Sequence, residues 1–236
     1  PFASIGGEPY KILAASQWMG ARNATASALN FRLVHMQAHM LIFLTGVVLA
    51  FFWLPRSAVG LPVLGVMGAV LVVFTVLLFA LHREGMLERM FDFFGRMPLI
   101  NRLVRKLEPR RAALVEVDRQ LIAFYKSHPY RYYGSLAAEY GARVFSMLEF
   151  YIIARAMGTP VSFGTAFLIG SFSSLVVNLF FFMPFNVGSK EAGLFMIFAA
   201  LGLPPRLGVA AAVLSRLREI SWVAIGLLAS LATRKR

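Results

Sequence analysis

The stretch Leu41–Phe52, LIFLTGVVLAFF, carries no charged residue and lies inside a longer apolar run, Leu29–Leu54. A helix needs about 20 apolar residues to cross a hydrocarbon core about 30 Å thick. The chain shows none of the repeated ten-residue alternation of a membrane barrel. We therefore predict an all-α, polytopic helical membrane protein. Four further runs support this fold: Val59–Leu81, Leu136–Met157, Val161–Met183 and Leu207–Ala232.

The composition and charge agree with a membrane protein. Of the 236 residues, 58% are hydrophobic, and the mean hydropathy is +0.69, whereas soluble domains are about 45–50% apolar. The net charge of +13 comes from basic residues that flank apolar runs. That pattern follows the positive-inside rule and indicates anionic lipid headgroups rather than nucleic acid as partners. The absence of cysteine excludes disulfides and thiolate sites.

A basic segment separates two apolar regions. Residues 82–131 hold eleven Lys or Arg against six Asp or Glu, so we expect this segment on the cytoplasmic side. Helical spacing of apolar residues predicts amphipathic helices on the membrane face, with a solvated loop as the alternative. The predicted organisation is a first membrane repeat over 1–81, the segment 82–131, and a second membrane repeat over 132–236.

Two short apolar stretches, Pro9–Met19 and Glu191–Leu203, cannot span a bilayer. Each follows a segment rich in proline and glycine, which predicts half-helices, either re-entrant or parts of broken helices. The two stretches also indicate an internal repeat, because in both a Pro-Phe pair is followed, after five residues, by a glutamate at the start of the apolar stretch. The matching positions are Pro1, Glu8, Gly20 and Arg32 in one copy, and Pro184, Glu191, Gly202 and Arg216 in the other.

The orientation of the repeats depends on how residues 184–203 meet the membrane. A cytoplasmic basic tail, residues 234–236, requires this segment to cross, which makes the repeats inverted. If the segment only re-enters, the repeats are parallel. A complete first copy would need two more helices before Pro1.

Charged residues inside apolar runs are the candidate site. A charge at the bilayer centre costs at least about 2.5–3.5 kcal/mol, so each must face protein, water or a headgroup. Arginine suits a phosphate because it donates two parallel hydrogen bonds. We predict a site for an anionic headgroup, of a phospholipid or a polyprenyl phosphate, with no cofactor, metal or catalytic residue. Glu8 and Glu191 have an alternative role as helix caps. The predicted site residues are Glu8, Lys11, Arg32, Glu149, Lys190, Glu191, Arg216 and Arg218.

Other polar residues have simpler interpretations. Glu139 and Arg143 lie four residues apart and are expected to pair on one helix face. His35 and His39 have the spacing of half a zinc site, but Met36 stands where the motif H-E-x-x-H needs glutamate. We therefore expect packed or pore-lining histidines. The sequence has no Walker A motif, which argues against an ATP-driven pump in this chain.

Four segments resemble the lysylphosphatidylglycerol synthase transmembrane-region family, often called flippase-like. They are residues 1–11 (PFASIGGEPYK), 148–161 (LEFYIIARAMGTPV), 183–195 (MPFNVGSKEAGLF) and 199–228 (AALGLPPRLGVAAAVLSRLREISWVAIGLL). This resemblance implies movement of lipids between leaflets. In some members an aminoacyl transferase is fused behind the membrane region; because the sequence ends at Arg236, we expect none in this chain.

Our first hypothesis is a transporter of lipids or lipid-linked intermediates in a bacterial inner membrane. The alternatives are a membrane-embedded enzyme, or a subunit of one, that modifies lipid headgroups, and a scaffold that recruits partners through residues 82–131. The scaffold predicts that the intramembrane charges are dispensable.

Overall fold

A computed structural model describes residues 7–53, 60–84, 116, 119, 122–123, 125–181, 183 and 186–233. Within these residues every regular element is an α-helix, which confirms the all-α prediction. The helices within them are α1 (Gly7–Met19), α2 (Ala21–Trp53), α3 (Leu61–Glu84), α4 (Pro129–Ser146), α5 (Leu148–Ala156), α6 (Phe163–Leu179), α7 (Ser189–Ala200) and α8 (Pro205–Thr233). Most of the basic segment 82–131 lies outside the described residues.

Glycines end the two short helices, α1 and α7. Gly20 has φ +79° and Gly202 has φ +69°, a left-handed conformation that glycine adopts without a steric penalty. After α7 the N–H of Leu203 donates to the carbonyl of Phe198 at 2.9 Å, which closes a Schellman motif. Both stretches are therefore helical as the sequence predicts, with boundaries that differ by at most three residues.

The predicted run Leu136–Met157 differs from the structure. The helix begins earlier, at Pro129, and is interrupted at Met147, between α4 and α5. The N–H of Met147 bonds the carbonyl of Val144, three residues back, at 3.1 Å. This tighter turn breaks the regular α-helical ladder. Methionine is a good helix former, so the sequence carries no signal for the break.

The chain divides into two compact units. The first combines the chain up to Leu44 with Val66–Arg143, and the second combines Thr45–Gly65 with Val144–Arg236. This division concerns packing, and the repeat boundaries at residues 81 and 131 stay predictions.

The first unit has a core between α2 and α4. Val34 and Ala38 of α2 pack with Tyr132 and Leu136 of α4, and all four are buried. The hydroxyl of Tyr132 donates to Oε1 of the buried Gln37. The hydrogen bond lets two polar groups be buried at this contact without a large desolvation cost.

The second unit is built from α5 to α8 and a short part of α2 and α3. Helix α7 packs on α8 and α6, and α5 packs on α6 and α8. Small residues allow these close approaches, as is common between membrane helices. The buried core consists of Phe150, Ala154, Val161, Ala166, Ile169, Leu194, Phe198, Ala211 and Ala212.

Two described helices are long and apolar enough to cross a membrane, over Ala21–Trp53 and Pro62–Ala80. Only 22% of the apolar 18-residue stretch of the second helix is buried inside the protein, against 50% of that of the first. The low value separates α3 from the core helix of a soluble protein, which is mostly buried.

Gly208 of α8 supplies a test of the α7–α8 packing. A Cβ at this position would meet the carbonyl oxygen of Leu194, a backbone atom that no side-chain rotation can move. We expect Gly208→Ala to destabilise the purified protein by about 1–3 kcal/mol, as overpacking does. The measurement is thermal unfolding in detergent.

Gly226→Ala is the matched control in the same helix. Nothing lies within 4 Å of the Cβ it would add, and alanine favours a helix over glycine by up to about 1 kcal/mol. An equal loss of stability in both variants would contradict the proposed packing.

Candidate functional site

A tight turn places the first residues of α7. Gly188 precedes the helix with φ +84°, and Asn186 has φ +50°, a region that asparagine tolerates better than most residues. The N–H of Gly188 donates to Oε2 of Glu191 at 2.8 Å. This is one half of a capping box, in which the third helical residue bonds back to the N-cap. The predicted capping role of Glu191 is therefore present in the structure.

The same carboxylate also pairs with α8. Nη2 of Arg216 lies 2.6 Å from Oε1 of Glu191 and 3.4 Å from the carbonyl oxygen of Asn186. Each oxygen of Glu191 thus has its own partner, one on the backbone and one on the guanidinium. Both side chains are one-quarter exposed, so the pair can be reached from outside the protein.

Lys190 makes a second ion pair with α8. Its Nζ donates to Oε1 of Glu219 at 2.7 Å. The lysine side chain is only 10% exposed, whereas Glu219 is 54% exposed. The partner therefore supplies the counter-charge that a buried ammonium group needs.

A third ion pair joins α8 to α5. Nη1 of Arg218 lies 2.6 Å from Oε2 of Glu149. The other oxygen of Glu149 is buried and has no hydrogen-bond partner within the part of the chain that the structure describes. Buried carboxylate oxygens are rarely left unbonded, so this atom marks a place where water, a proton or a ligand group is needed.

The three pairs form one candidate site, which we call the α7–α8 cluster. It holds three basic and three acidic side chains, so its formal charge is +3 − 3 = 0. Five of the eight predicted site residues belong to it. Glu219 was missed, although three basic residues in an apolar region predict three carboxylates to balance them. The members are Glu149, Lys190, Glu191, Arg216, Arg218 and Glu219.

The other three predicted residues belong to the first unit. Glu8 lies in the first turn of α1, and its side chain is outside the described part. Nζ of Lys11 lies 5.7 Å from the centroid of the Phe31 ring, a cation–π distance. Arg32 is exposed on α2. The eight residues therefore do not fall in one unit, and a role for these three stays a prediction.

The first unit contains a polar cluster that the prediction only partly recognised. Glu139 and Arg143 pair at 2.9 Å as expected, and they also contact α2. His35 Nδ1 lies 2.7 Å from Glu139 Oε1, and Arg143 Nη1 lies 2.8 Å from His39 Nε2. Each helix carries two polar residues four positions apart, and this shared spacing was the signal that could have predicted the contact between α2 and α4.

Metal binding has no support in the described part of the chain. No group of three or more His, Cys, Asp or Glu is arranged there to hold a metal ion. In the first-unit cluster an arginine lies against both histidines, and its positive charge disfavours a cation at that place.

The profile of the lysylphosphatidylglycerol synthase TM region family matches residues 1–227. The chain belongs to this family. The match confirms the resemblance found in the sequence and identifies the chain as a membrane region of a lipid-related family. No curated protein and no solved structure shows significant similarity to the chain.

The Arg216–Glu191 contact predicts a measurable coupling within the α7–α8 cluster. We expect Glu191→Gln and Arg216→Gln each to lower the stability of the detergent-purified protein. The double variant should lose less stability than the sum of the two single variants, with a coupling of about 0.5–3 kcal/mol, because the first substitution has already broken the contact. Thermal or denaturant unfolding followed by circular dichroism measures all three.

Arg155→Gln provides the matched control. Arg155 is an exposed arginine that stacks on Tyr151 at 4.7 Å. Combined with Glu191→Gln, it should give additive losses to within about 0.5 kcal/mol. Additive losses for Glu191→Gln with Arg216→Gln would contradict the direct pairing.

Proposed function

We propose that this protein is a multi-pass protein of a bacterial inner membrane that moves a lipid, or a lipid-linked intermediate, with an anionic headgroup between leaflets. The α7–α8 cluster would bind the headgroup. The observation that carries the proposal is the Arg216–Glu191 ion pair, which lies at the break before α7. Both side chains are partly exposed, and each charge neutralises the other.

The pair is suited to exchange one anion for another. A guanidinium has five N–H donors, and Arg216 contacts one oxygen of Glu191 and one backbone carbonyl. A phosphate can therefore take two parallel hydrogen bonds from Arg216. If Glu191 is displaced, its other oxygen keeps the bond to the Gly188 N–H. The turn can thus stay intact while the arginine changes partner.

The remaining two pairs support the same exchange. Lys190 and Arg218 each pair with a carboxylate, and these pairs compensate the two more buried charges, those of Lys190 and Glu149. An anionic headgroup brings negative charge to a cluster that is already neutral. A carboxylate that loses its cationic partner to the headgroup must then be hydrated or take up a proton. Glu149, with one unbonded oxygen, is the member best placed to take a proton.

The helix lengths support a site within the membrane. At 1.5 Å per residue, the 12 residues of α7 extend about 18 Å, which is too short to span, and the 29 residues of α8 extend about 44 Å. Half-helices beside long helices near the midplane are typical of transporters. Through the predicted repeat, Glu8 and Arg32 would be the counterparts of Glu191 and Arg216 in the first half.

A second candidate function is a membrane-embedded enzyme, or an enzyme subunit, that modifies lipid headgroups. The word synthase in the family description favours it. Mass spectrometry of the lipids recovered after the transport assay below distinguishes the two, because an enzyme changes headgroup masses and a transporter does not.

The proposal is tested with protein in liposomes that contain a fluorescent anionic phospholipid. Leaflet exchange is followed by the fraction of label that an impermeant reductant bleaches. We expect wild type to accelerate exchange. Arg216→Gln and Lys190→Gln should slow it about tenfold or more, because a hydrogen bond to a charged group contributes about 1.5–3 kcal/mol.

Arg155→Gln is the control for removing an arginine outside the cluster, and it should exchange lipid at the wild-type rate. Circular dichroism must show that each variant is folded. Wild-type exchange that persists in both cluster variants would overturn the site assignment. Folded wild type without exchange of anionic phospholipid or polyprenyl phosphate would overturn the proposed function.

Topology supplies a further prediction, which single introduced cysteines can test because the sequence has no cysteine of its own. Single variants Ser127→Cys and Thr233→Cys are reacted with an impermeant maleimide in intact spheroplasts and in inverted vesicles. Inverted repeats place both positions on the cytoplasmic side, so both should react only in inverted vesicles. Labelling of Thr233→Cys in spheroplasts would contradict inversion and favour parallel repeats.

A further inference from the structure

The residues that lead into α4 fold together with the start of that helix. The rings of Tyr125 and Tyr133 lie edge-on against the ring of Tyr132, at centroid distances of 4.9 and 5.1 Å. The hydroxyls of Tyr125 and Tyr133 are joined by a hydrogen bond of 3.0 Å. Tyr132 is buried, and its hydroxyl donates to Gln37 of α2. These contacts hold the chain before α4 at a fixed place on the first unit.

Two exposed cations lie on this part of the chain, Lys126 and Arg131. Cζ of Arg131 lies 5.8 Å from the centroid of the Tyr130 ring, a cation–π distance. Among the residues that the structure describes, neither cation has a carboxylate within ion-pair distance. The sequence has no acidic residue between Asp118 and Glu139. The surface is therefore positive, and the described residues supply no counter-charge to it.

Exposed tyrosines accompany these cations. Tyr130 is 67% exposed and Tyr133 is 45% exposed. A tyrosine combines an apolar ring with a polar hydroxyl, and it is enriched where the hydrocarbon of a membrane meets the headgroups. Long basic side chains near a helix end extend their charge to the same level. The combination indicates that α4 begins at the boundary of the membrane.

The charges further along α4 are arranged differently. Glu139 follows Tyr130 by nine positions, about 14 Å at 1.5 Å per residue, which is close to half of a hydrocarbon core about 30 Å thick. There Glu139 is paired with Arg143 at 2.9 Å and lies 2.7 Å from Nδ1 of His35. Charges deep in a bilayer need partners inside the protein, whereas cations at its boundary meet anionic headgroups. The change from unpaired to paired charges along α4 therefore supports a boundary at Tyr130.

We propose that Lys126 and Arg131, together with the rings of Tyr130 and Tyr133, bind the headgroups of anionic phospholipids at the membrane boundary. We call these four residues the α4 boundary surface. A phosphate brings the negative charge that the surface lacks, and the guanidinium of Arg131 can donate two parallel hydrogen bonds to it. The lipids bound here belong to the surrounding membrane and hold α4 at a fixed depth. The proposal does not depend on lipid movement by the α7–α8 cluster.

Lipid binding is tested with a fluorophore attached to Ser127→Cys, because Ser127 is exposed and adjacent to Lys126. The labelled protein is placed in vesicles of phosphatidylcholine and phosphatidylglycerol, and either lipid in turn carries a quenching nitroxide near the top of its acyl chain. We expect phosphatidylglycerol to be enriched about fivefold beside the probe, since one Lys or Arg near an anionic surface contributes about 1 kcal/mol. Salt at about 1 M should weaken this enrichment, because the Debye length falls to about 3 Å.

Variants of the two cations show whether their charge causes the enrichment. Lys126→Gln combined with Arg131→Gln should abolish it, whereas Lys126→Arg combined with Arg131→Lys keeps both charges and should keep it. Arg119→Gln is the matched control and should leave the enrichment unchanged, because Arg119 is 76% exposed and already pairs with Glu116 at 3.4 Å. Circular dichroism checks that each variant is folded.

Two results would overturn the lipid-binding surface. One is equal enrichment of the two lipids beside Ser127→Cys in the otherwise unchanged protein. The other is an enrichment that persists when both cations are replaced by glutamine.

The depth of α4 is tested with single nitroxide labels on Ser127→Cys and Ala138→Cys. Ala138 is exposed and follows Tyr130 by eight positions, about 12 Å along the helix. Oxygen concentrates at the centre of a bilayer, whereas a water-soluble nickel complex stays outside. We expect the label at position 127 to collide mainly with the nickel complex and the label at position 138 mainly with oxygen. Equal depths, or the reverse order, would overturn a boundary at Tyr130.

The outcomes are separate from those of the transport assay. Both measurements require only folded protein in a bilayer, so an absence of lipid exchange would leave the α4 boundary surface standing. Failure of either measurement would overturn this surface or its depth and leave the α7–α8 cluster as the proposed site of lipid movement.

Discussion

The requirement that a buried charge have a counter-charge governs this structure. In the second unit Lys190, Arg216 and Arg218 each meet a carboxylate at 2.6–2.7 Å. A lone charge in apolar surroundings costs several kcal/mol, and a pair recovers much of that cost when its geometry is good. The pairs therefore decide how α5, α7 and α8 can pack against one another. Glu191 also holds the turn before α7, so one carboxylate serves both folding and charge balance.

The same constraint shapes what the site can bind. A cluster with unpaired cations would attract any anion and would be costly when empty. A cluster neutral at rest releases a cation only to a ligand that replaces the carboxylate well, such as a phosphate that receives two hydrogen bonds from an arginine. Under the proposed function, this favours selection of a headgroup by geometry as well as by charge. It also makes the fate of the displaced carboxylates, and of their protons, part of the mechanism.

Much of the fold could be predicted because its signals are local. The short helices α1 and α7 are bounded by proline, glycine and apolar length, and these signals located both to within three residues. The break at Met147 could not be predicted, because the local sequence favours a continuous helix. The family could also be recognised, since its motifs lie at the turns and charged positions that local sequence displays.

The partners within the site were harder to predict. Residues suited to bind an anion could be named from their charge and their place in apolar runs, as with Lys190 and Arg216. The pairing of each carboxylate with its cation could not be predicted, because the partners lie 25 to 69 positions apart and their contact depends on helix packing. Glu219 was missed for this reason, and so was the contact between His35 and Glu139, which lie 104 positions apart on two different helices.

The central claim is that Arg216 exchanges Glu191 for the headgroup of an anionic lipid. Native mass spectrometry of the purified protein, offered anionic and zwitterionic lipids with identical acyl chains, tests it most directly. Wild type should retain the anionic lipid preferentially, Arg216→Gln should lose that preference, and Arg155→Gln should keep it. Equal retention of both lipids by wild type, or an unchanged preference in Arg216→Gln, would contradict the account.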